Sequence, residues 1–217
     1  ESIAGAHNNL ANLAISRGDA ARAEHHYGLA LQAFQEISNA AGTALARTNL
    51  AILAVEQDRP AGGLANAAEA KALLQSSGNR ILLGLACVVR GEALLAAGDA
   101  VEAEREFAWI LAEYERGNHP LAVAGARRGL GRAALMRGDT ASALPSLGDA
   151  LSLYELLARE QEAGRTELFL ARAQELSGDV EQARRLLLSA RQRFQRIGAR
   201  ADLGRADGAL AKLGTAT

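Results

Sequence analysis

Four Gly-Asp dipeptides, Gly18-Asp19, Gly98-Asp99, Gly138-Asp139 and Gly178-Asp179, stand multiples of forty residues apart. The missing member of the series falls on Asp58-Arg59-Pro60, which also breaks a helix. A fifth, Gly148-Asp149, lies off register. Composition alone predicts about one such dipeptide, so a fixed period is the economical reading. Whole columns repeat with it. Ala11, Ala51, Gly91, Gly131 and Ala171 form one small-residue column, and Ala23, Gly63, Ala103, Ala143 and Ala183 another. Large residues recur at Phe34, Leu74, Tyr114, Tyr154 and Phe194, and again at Tyr27, Ala67, Phe107, Leu147 and Leu187, with Ala67 the exception. Six of the eight aromatic residues occupy these two columns. Small residues at one register let helices approach; large ones at another fill the space beside them.

Each period reads as two helices. In the first unit helix A covers roughly 2–17 and helix B roughly 20–37. Gly18 is suited to a left-handed helix end, and Asp19 to the N-cap that follows. Asp99 with Glu102, and Asp179 with Gln182, have the spacing of a capping box. Ser38-Asn39, Ser77-Gly78-Asn79, Gly117-Asn118-His119-Pro120 and Gly198 mark the turns between units, whereas the stretch 159–163 offers neither Gly nor Pro. Pro145 is expected to bend its helix. Residues 199–213 read as an eleventh helix covering the end of the stack. With 49 alanines among 217 residues and few β-branched side chains, an all-α chain is expected. The reading is a single domain over 1–217, with repeats at about 1–40, 41–80, 81–120, 121–160 and 161–200.

A Leu followed by a small residue in helix A (Leu10-Ala11, Leu50-Ala51, Leu130-Gly131, Leu170-Ala171), small residues early in helix B and aromatic or Leu residues later resemble tetratricopeptide repeats, in their forty-residue form. Arg90 stands where that pattern has Leu, and Ala67 where it has a large residue. The resemblance implies an α-α solenoid of five hairpins with a capping helix, wound as a right-handed superhelix. Similar arrays occur in bacterial multidomain regulators, kinesin light chains and spindle-orientation adaptors.

Chemistry is sparse. The sequence has no phosphate loop, nucleophile elbow, zinc-protease helix or dinucleotide fingerprint. His25 and His26 point about 100° apart on a helix, and His7 and His119 have no ligand companions at local spacing, so no metal site is expected. Cys87 reads as a core residue, and Glu102 with Glu106 as a solvated pair. No enzyme activity and no cofactor are expected. Net charge is −1, but residues 1–117 carry 9 basic and 14 acidic groups, and residues 118–217 carry 15 and 11. The basic run Arg184, Arg185, Arg191, Arg193, Arg196 and Arg200 lacks interleaved aromatics and reads as a solvated face, not a nucleic-acid site. Nothing is apolar enough to span a membrane. One cysteine suits a reducing, cytoplasmic setting. Arginine outnumbers lysine 22 to 2, which with the alanine excess suits a bacterial origin, and a start at Glu1 suits a piece of a longer chain.

The resemblance places helix A on a concave, ligand-facing wall. By column that wall holds Asn8, Thr48, Val88, Arg128 and Leu168, then Asn12, Ile52, Glu92, Arg132 and Arg172, with Asn49 beside Thr48. It runs from amides, which suit peptide backbone, through apolar groups to arginines, which suit carboxylates. The family's carboxylate clamp is matched at Asn12 and Asn49, but Asn8, Leu85 and Val89 replace its cations. Trp109 falls in a polar column and is an interface candidate. The expected function is a non-catalytic protein-interaction scaffold binding a peptide or protein segment. The alternative is a sensor or autoregulatory module of a larger bacterial transcription or signalling regulator. Partners expected are a protein or peptide, other domains of the same chain, or a second copy through Trp109.

Overall fold

Left-handed backbone recurs at twenty-residue spacing from 18 to 98 and again from 138 to 198. In a computed structural model, which describes residues 3–117 and 119–215, Gly18, Gly78, Gly98, Gly138, Gly178 and Gly198 have positive φ, and so do Ser38, Asp58 and Ala158. Most of these turns close the preceding helix in the same way; at Gly78 the Asn79 N–H donates instead to Ser77 Oγ at 3.1 Å. Asp19 N–H donates to the Ala14 carbonyl at 2.9 Å, Asp139 to Ala134 at 2.9 Å and Arg159 to Tyr154 at 2.8 Å. These six-to-one bonds satisfy carbonyls that a helix end leaves open. The next residue caps the following helix. Asp19, Asn39, Asn79, Asp99, Asp139 and Asp179 each accept a backbone N–H three residues on, at 2.9–3.1 Å. Pro60 and Pro120 open helices whose caps, Arg59 and His119, supply no side-chain bond. Asn118 lies outside the described residues.

Eleven helices result among the described residues: α1 (Ile3–Ser16), α2 (Ala20–Glu36), α3 (Ala40–Glu56), α4 (Pro60–Gln75), α5 (Arg80–Ala96), α6 (Ala100–Tyr114), α7 (Pro120–Met136), α8 (Thr140–Leu156), α9 (Glu160–Ser177), α10 (Val180–Ile197) and α11 (Arg200–Thr215). The fold is an all-α solenoid of consecutive helical hairpins. The turn the sequence leaves open is at Ala158-Arg159, where an alanine takes the left-handed conformation without glycine's freedom. α8 runs without a break through Pro145. No helix among the described residues is long and apolar enough to cross a membrane.

The chain divides into two compact units, Glu1–Ile110 and Leu111–Thr217. In the first, α1 packs on α2, α2 on α3, α3 on both α4 and α5, and α4 on α5. In the second, α7 packs on α8, α8 on α9, α9 on α10 and α10 on α11. Every member of the four repeating columns is buried. Gly91 and Gly131 are glycine because nothing larger fits: an added Cβ would lie 2.5 Å from the Phe107 ring and 2.5 Å from Leu147 Cγ. Where the partner is Ala67, the small–small pair is filled instead by Val89, with Leu85 and Ile52 against it. α11 is tied down by Asp202, 1% exposed, which accepts from Gln161 Nε2 at 2.8 Å, Arg165 Nε at 2.9 Å and Arg205 Nη1 at 2.8 Å.

Candidate binding surface

In the first unit the amides of helices α1 and α3 are already engaged with one another. Asn49 Nδ2 donates to Asn8 Oδ1 at 3.0 Å, and the Tyr27 hydroxyl donates to Asn12 Oδ1 at 2.6 Å. Burial and the nearby Glu56 raise the Tyr27 pKa, which keeps it a donor. These bonds hold the amides in place while leaving each with unused hydrogen-bonding capacity. Thr48 is only 2% exposed, and its hydroxyl donates to the Ala44 carbonyl at 2.8 Å. It offers no surface to a ligand, whereas its neighbour Asn49 is half-buried. Ile52 and Glu92 are half-buried, and Val88 is buried.

In the second unit, two of the three arginines of α7 lie over aromatic rings, and the third, Arg127, pairs with Glu115 and Asp149, each at 2.6 Å. The Arg128 guanidinium sits 5.3 Å from the Tyr154 ring centre, and that of Arg132 sits 4.6 Å from Phe169. Burial pushes the Arg132 pKa down to about 10, still far above neutrality. A guanidinium held over a ring is oriented before any ligand arrives, which lowers the entropic cost of a carboxylate contact. Arg172 on α9 is exposed and pairs with Glu175 one turn on, at 2.7 Å.

Trp109 on α6 is 38% exposed, with Lys71 Nζ 4.9 Å from its ring centre. The same ammonium reaches Glu106 Oε1 at 2.7 Å, and Arg90 Nη1 reaches Glu106 Oε2 at 2.5 Å. The expectation of a solvated Glu102–Glu106 pair fails at Glu106. It is 6% exposed and held by two cations, whereas Glu102 pairs with Arg105 at 3.2 Å. Arg90, the residue that departs from the repeat pattern, is one of the cations that compensate it. Cys87 lies in the same neighbourhood; burial drives its pKa up to about 12, as suits a core thiol.

Three of the six arginines of the basic run, all on α10, are paired within the fold. Arg193 bridges Glu155, Glu160 and Glu167; Arg196 reaches Glu160 at 2.5 Å, and Arg191 reaches Asp207 at 2.7 Å. His7 and His26, which local spacing left apart, meet across the first hairpin with their Nδ1 atoms 3.1 Å apart. They are nineteen residues apart, and the forty-residue columns carry the signal. The same two registers hold Arg47 and Asn66, joined at 3.3 Å, and Cys87 with Glu106, whose carboxylate also acts on the Cys87 pKa through a side-chain hydrogen bond.

Residues 84–109, 124–148 and 164–189 match the family model described as Tetratricopeptide repeat. The three stretches start forty residues apart, each within a helix A. The crystal structure of the apo form of RapI superposes with a TM-score of 0.68 at 12% identity, over 90% of this chain and 72% of that one. A Rap protein complexed with competence and sporulation factor gives 0.67 at 14% identity, over 99% of this chain; this chain spans 65% of that one's length. A putative kinesin light chain from Podosopora anserina, with nearly identical TPR-like repeats, gives 0.60 at 16%, over 89% of this chain and 95% of that one. No curated protein matches the chain in sequence. At these identities the likeness is one of fold.

Proposed function

The chain carries tetratricopeptide repeats, and from that premise we propose that it is a non-catalytic scaffold whose A helices bind a segment of another protein. The observation that carries the reading is the pair Arg128 and Arg132, each held on an aromatic ring contributed by a neighbouring helix. With Arg172 they put three guanidinium groups on the second unit's A helices, and a segment that engages them carries acidic side chains. The structural relative solved with competence and sporulation factor supports a binding role for such an array. Asn8, Asn12 and Asn49 give the first unit a surface suited to peptide backbone.

The test is binding of a fluorescent oligoglutamate peptide at low salt, for the wild type and for the triple variant Arg128→Gln, Arg132→Gln, Arg172→Gln. Wild type binds saturably and loses affinity as salt rises. The variant, if its helicity and melting temperature stay near wild type, binds at least tenfold more weakly. Equal affinity for both proteins overturns the acidic-segment reading.

A narrower form places the array inside a longer bacterial regulator, docked on its other domains. Trp109 favours it, because a half-open tryptophan with a cation over its ring suits an interface.

A further inference from the structure

His7 on α1 and His26 on α2 face each other across the first hairpin. Their Nδ1 atoms are 3.1 Å apart, and their rings stack at 27° with centres 5.3 Å apart. Two imidazole nitrogens at this distance share either one proton or one ligand. In the first case one ring donates and the other accepts. In the second the separation is the bite of a chelate. Metal–imidazole bonds of about 2.0–2.1 Å, drawn to two nitrogens so placed, meet at about 100°, which suits tetrahedral and cis-octahedral coordination alike.

The placement is not accidental to one pair of side chains. The same two registers face each other in the second and third hairpins, as Arg47–Asn66 and Cys87–Glu106. The hairpin backbone therefore brings these two registers face to face, and both ligands stand on helices. Both rings are half-open, so water can complete a coordination sphere. His25 is exposed and tilted 57° to His26, with ring centres 5.5 Å apart.

We propose that His7 and His26 bind one divalent transition ion of the kind that prefers imidazole, Ni2+, Cu2+ or Zn2+, through their Nδ1 atoms, and that the ion staples α1 to α2. Among the described residues no group of three or more His, Cys, Asp and Glu side chains is arranged around a metal, so this is a two-ligand site finished by water. It stands apart from the peptide-binding reading, and neither depends on the other.

The test titrates Ni2+ and Zn2+ into tag-free protein by calorimetry, with melting temperature followed in parallel. One ion binds per chain, and the melting temperature rises with ion concentration. His7→Gln and His26→Gln, each shown by circular dichroism to keep wild-type helicity without metal, lose at least tenfold in affinity and the thermal shift. His25→Gln keeps both. The absence of one-to-one binding by the wild type, or equal binding by His7→Gln, overturns the proposal. Loss of binding in His25→Gln alone also overturns it.

Discussion

Glu106 in the first unit and Glu167 in the second are buried to a similar degree, 6% and 3% exposed, yet they are compensated differently. Both oxygens of Glu106 meet a cation, Lys71 on one side and Arg90 on the other. Only one oxygen of Glu167 is served: Oε1 accepts from the Ser189 hydroxyl at 2.6 Å and from Arg193 Nε at 3.2 Å. Oε2 is buried and accepts no hydrogen bond from the described residues. Burial accordingly outweighs Ser189 and Arg193 and raises the Glu167 pKa. The contrast shows how a repeat tolerates polar residues in its interior. Lys71, Arg90 and Glu106 replace residues that are mostly apolar or uncharged elsewhere in their columns, and the three replacements answer one another. Glu167 has no such full set, and its second oxygen remains a local cost.

The largest expected effect breaks the compensated side. Glu106→Ala strands two cations beside the core and should destabilise the first unit by about 3 kcal/mol, read as a lower urea midpoint. A loss under about 1 kcal/mol would show that the cluster adapts by exposing Lys71 and Arg90 to water.

The second unit carries another uncompensated site, which sets the next prediction. Ala158 (φ 52°) and Gly178 (φ 91°) both take left-handed backbone, which costs an alanine more than a glycine. Ala158→Gly should stabilise by about 1 kcal/mol and Gly178→Ala should destabilise by about as much, both read in thermal melts.

The smallest effect sharpens the carboxylate comparison itself. Glu167 binds its proton more tightly folded than unfolded, so its contribution to stability is greatest below the ordinary glutamate pKa and falls as pH rises through the raised value. Glu160 works in the other direction. Arg193 lowers its pKa, and its contribution disappears as pH falls through that lowered value. Glu167→Gln should therefore match or exceed wild-type stability at pH 7 by under about 1 kcal/mol, with the gap closing toward pH 4. A variant less stable than wild type at pH 7 would show that the charge on Glu167, not its shape, holds Arg193.

Much of this fold is written in the forty-residue period. The buried columns, the glycine ends and the aspartate caps all follow from registers visible in the chain, because helix packing demands a small residue wherever two axes approach. The α8–α9 turn escapes such a reading because Ala158 is held left-handed by its neighbours' hydrogen bonds rather than by any preference of its own. The binding surface is legible in part. The columns bring out Arg128, Arg132 and Arg172, but not that Tyr154 and Phe169 lie beneath the first two. They also place Thr48 on a surface when its hydroxyl is spent inside its own helix. Glu106 was concealed for the opposite reason. A carboxylate three residues before Trp109 looks solvated until Lys71 and Arg90, sixteen or more residues away, are seen to converge on it.

The turn of two to four residues that recurs at twenty-residue spacing over 18–98 and again over 138–198 makes the half-repeat an interchangeable length of chain. A segment of forty residues, cut from one left-handed residue to the corresponding one two turns later, begins and ends in the same backbone conformation and returns each helix to its own role. Duplication or loss of such a segment leaves both junctions unstrained. A twenty-residue change also joins smoothly, but it exchanges the two kinds of helix, so the small residues of one face would meet the small residues of the next. The unit in which a chain of this construction can grow or shrink is therefore the pair of helices.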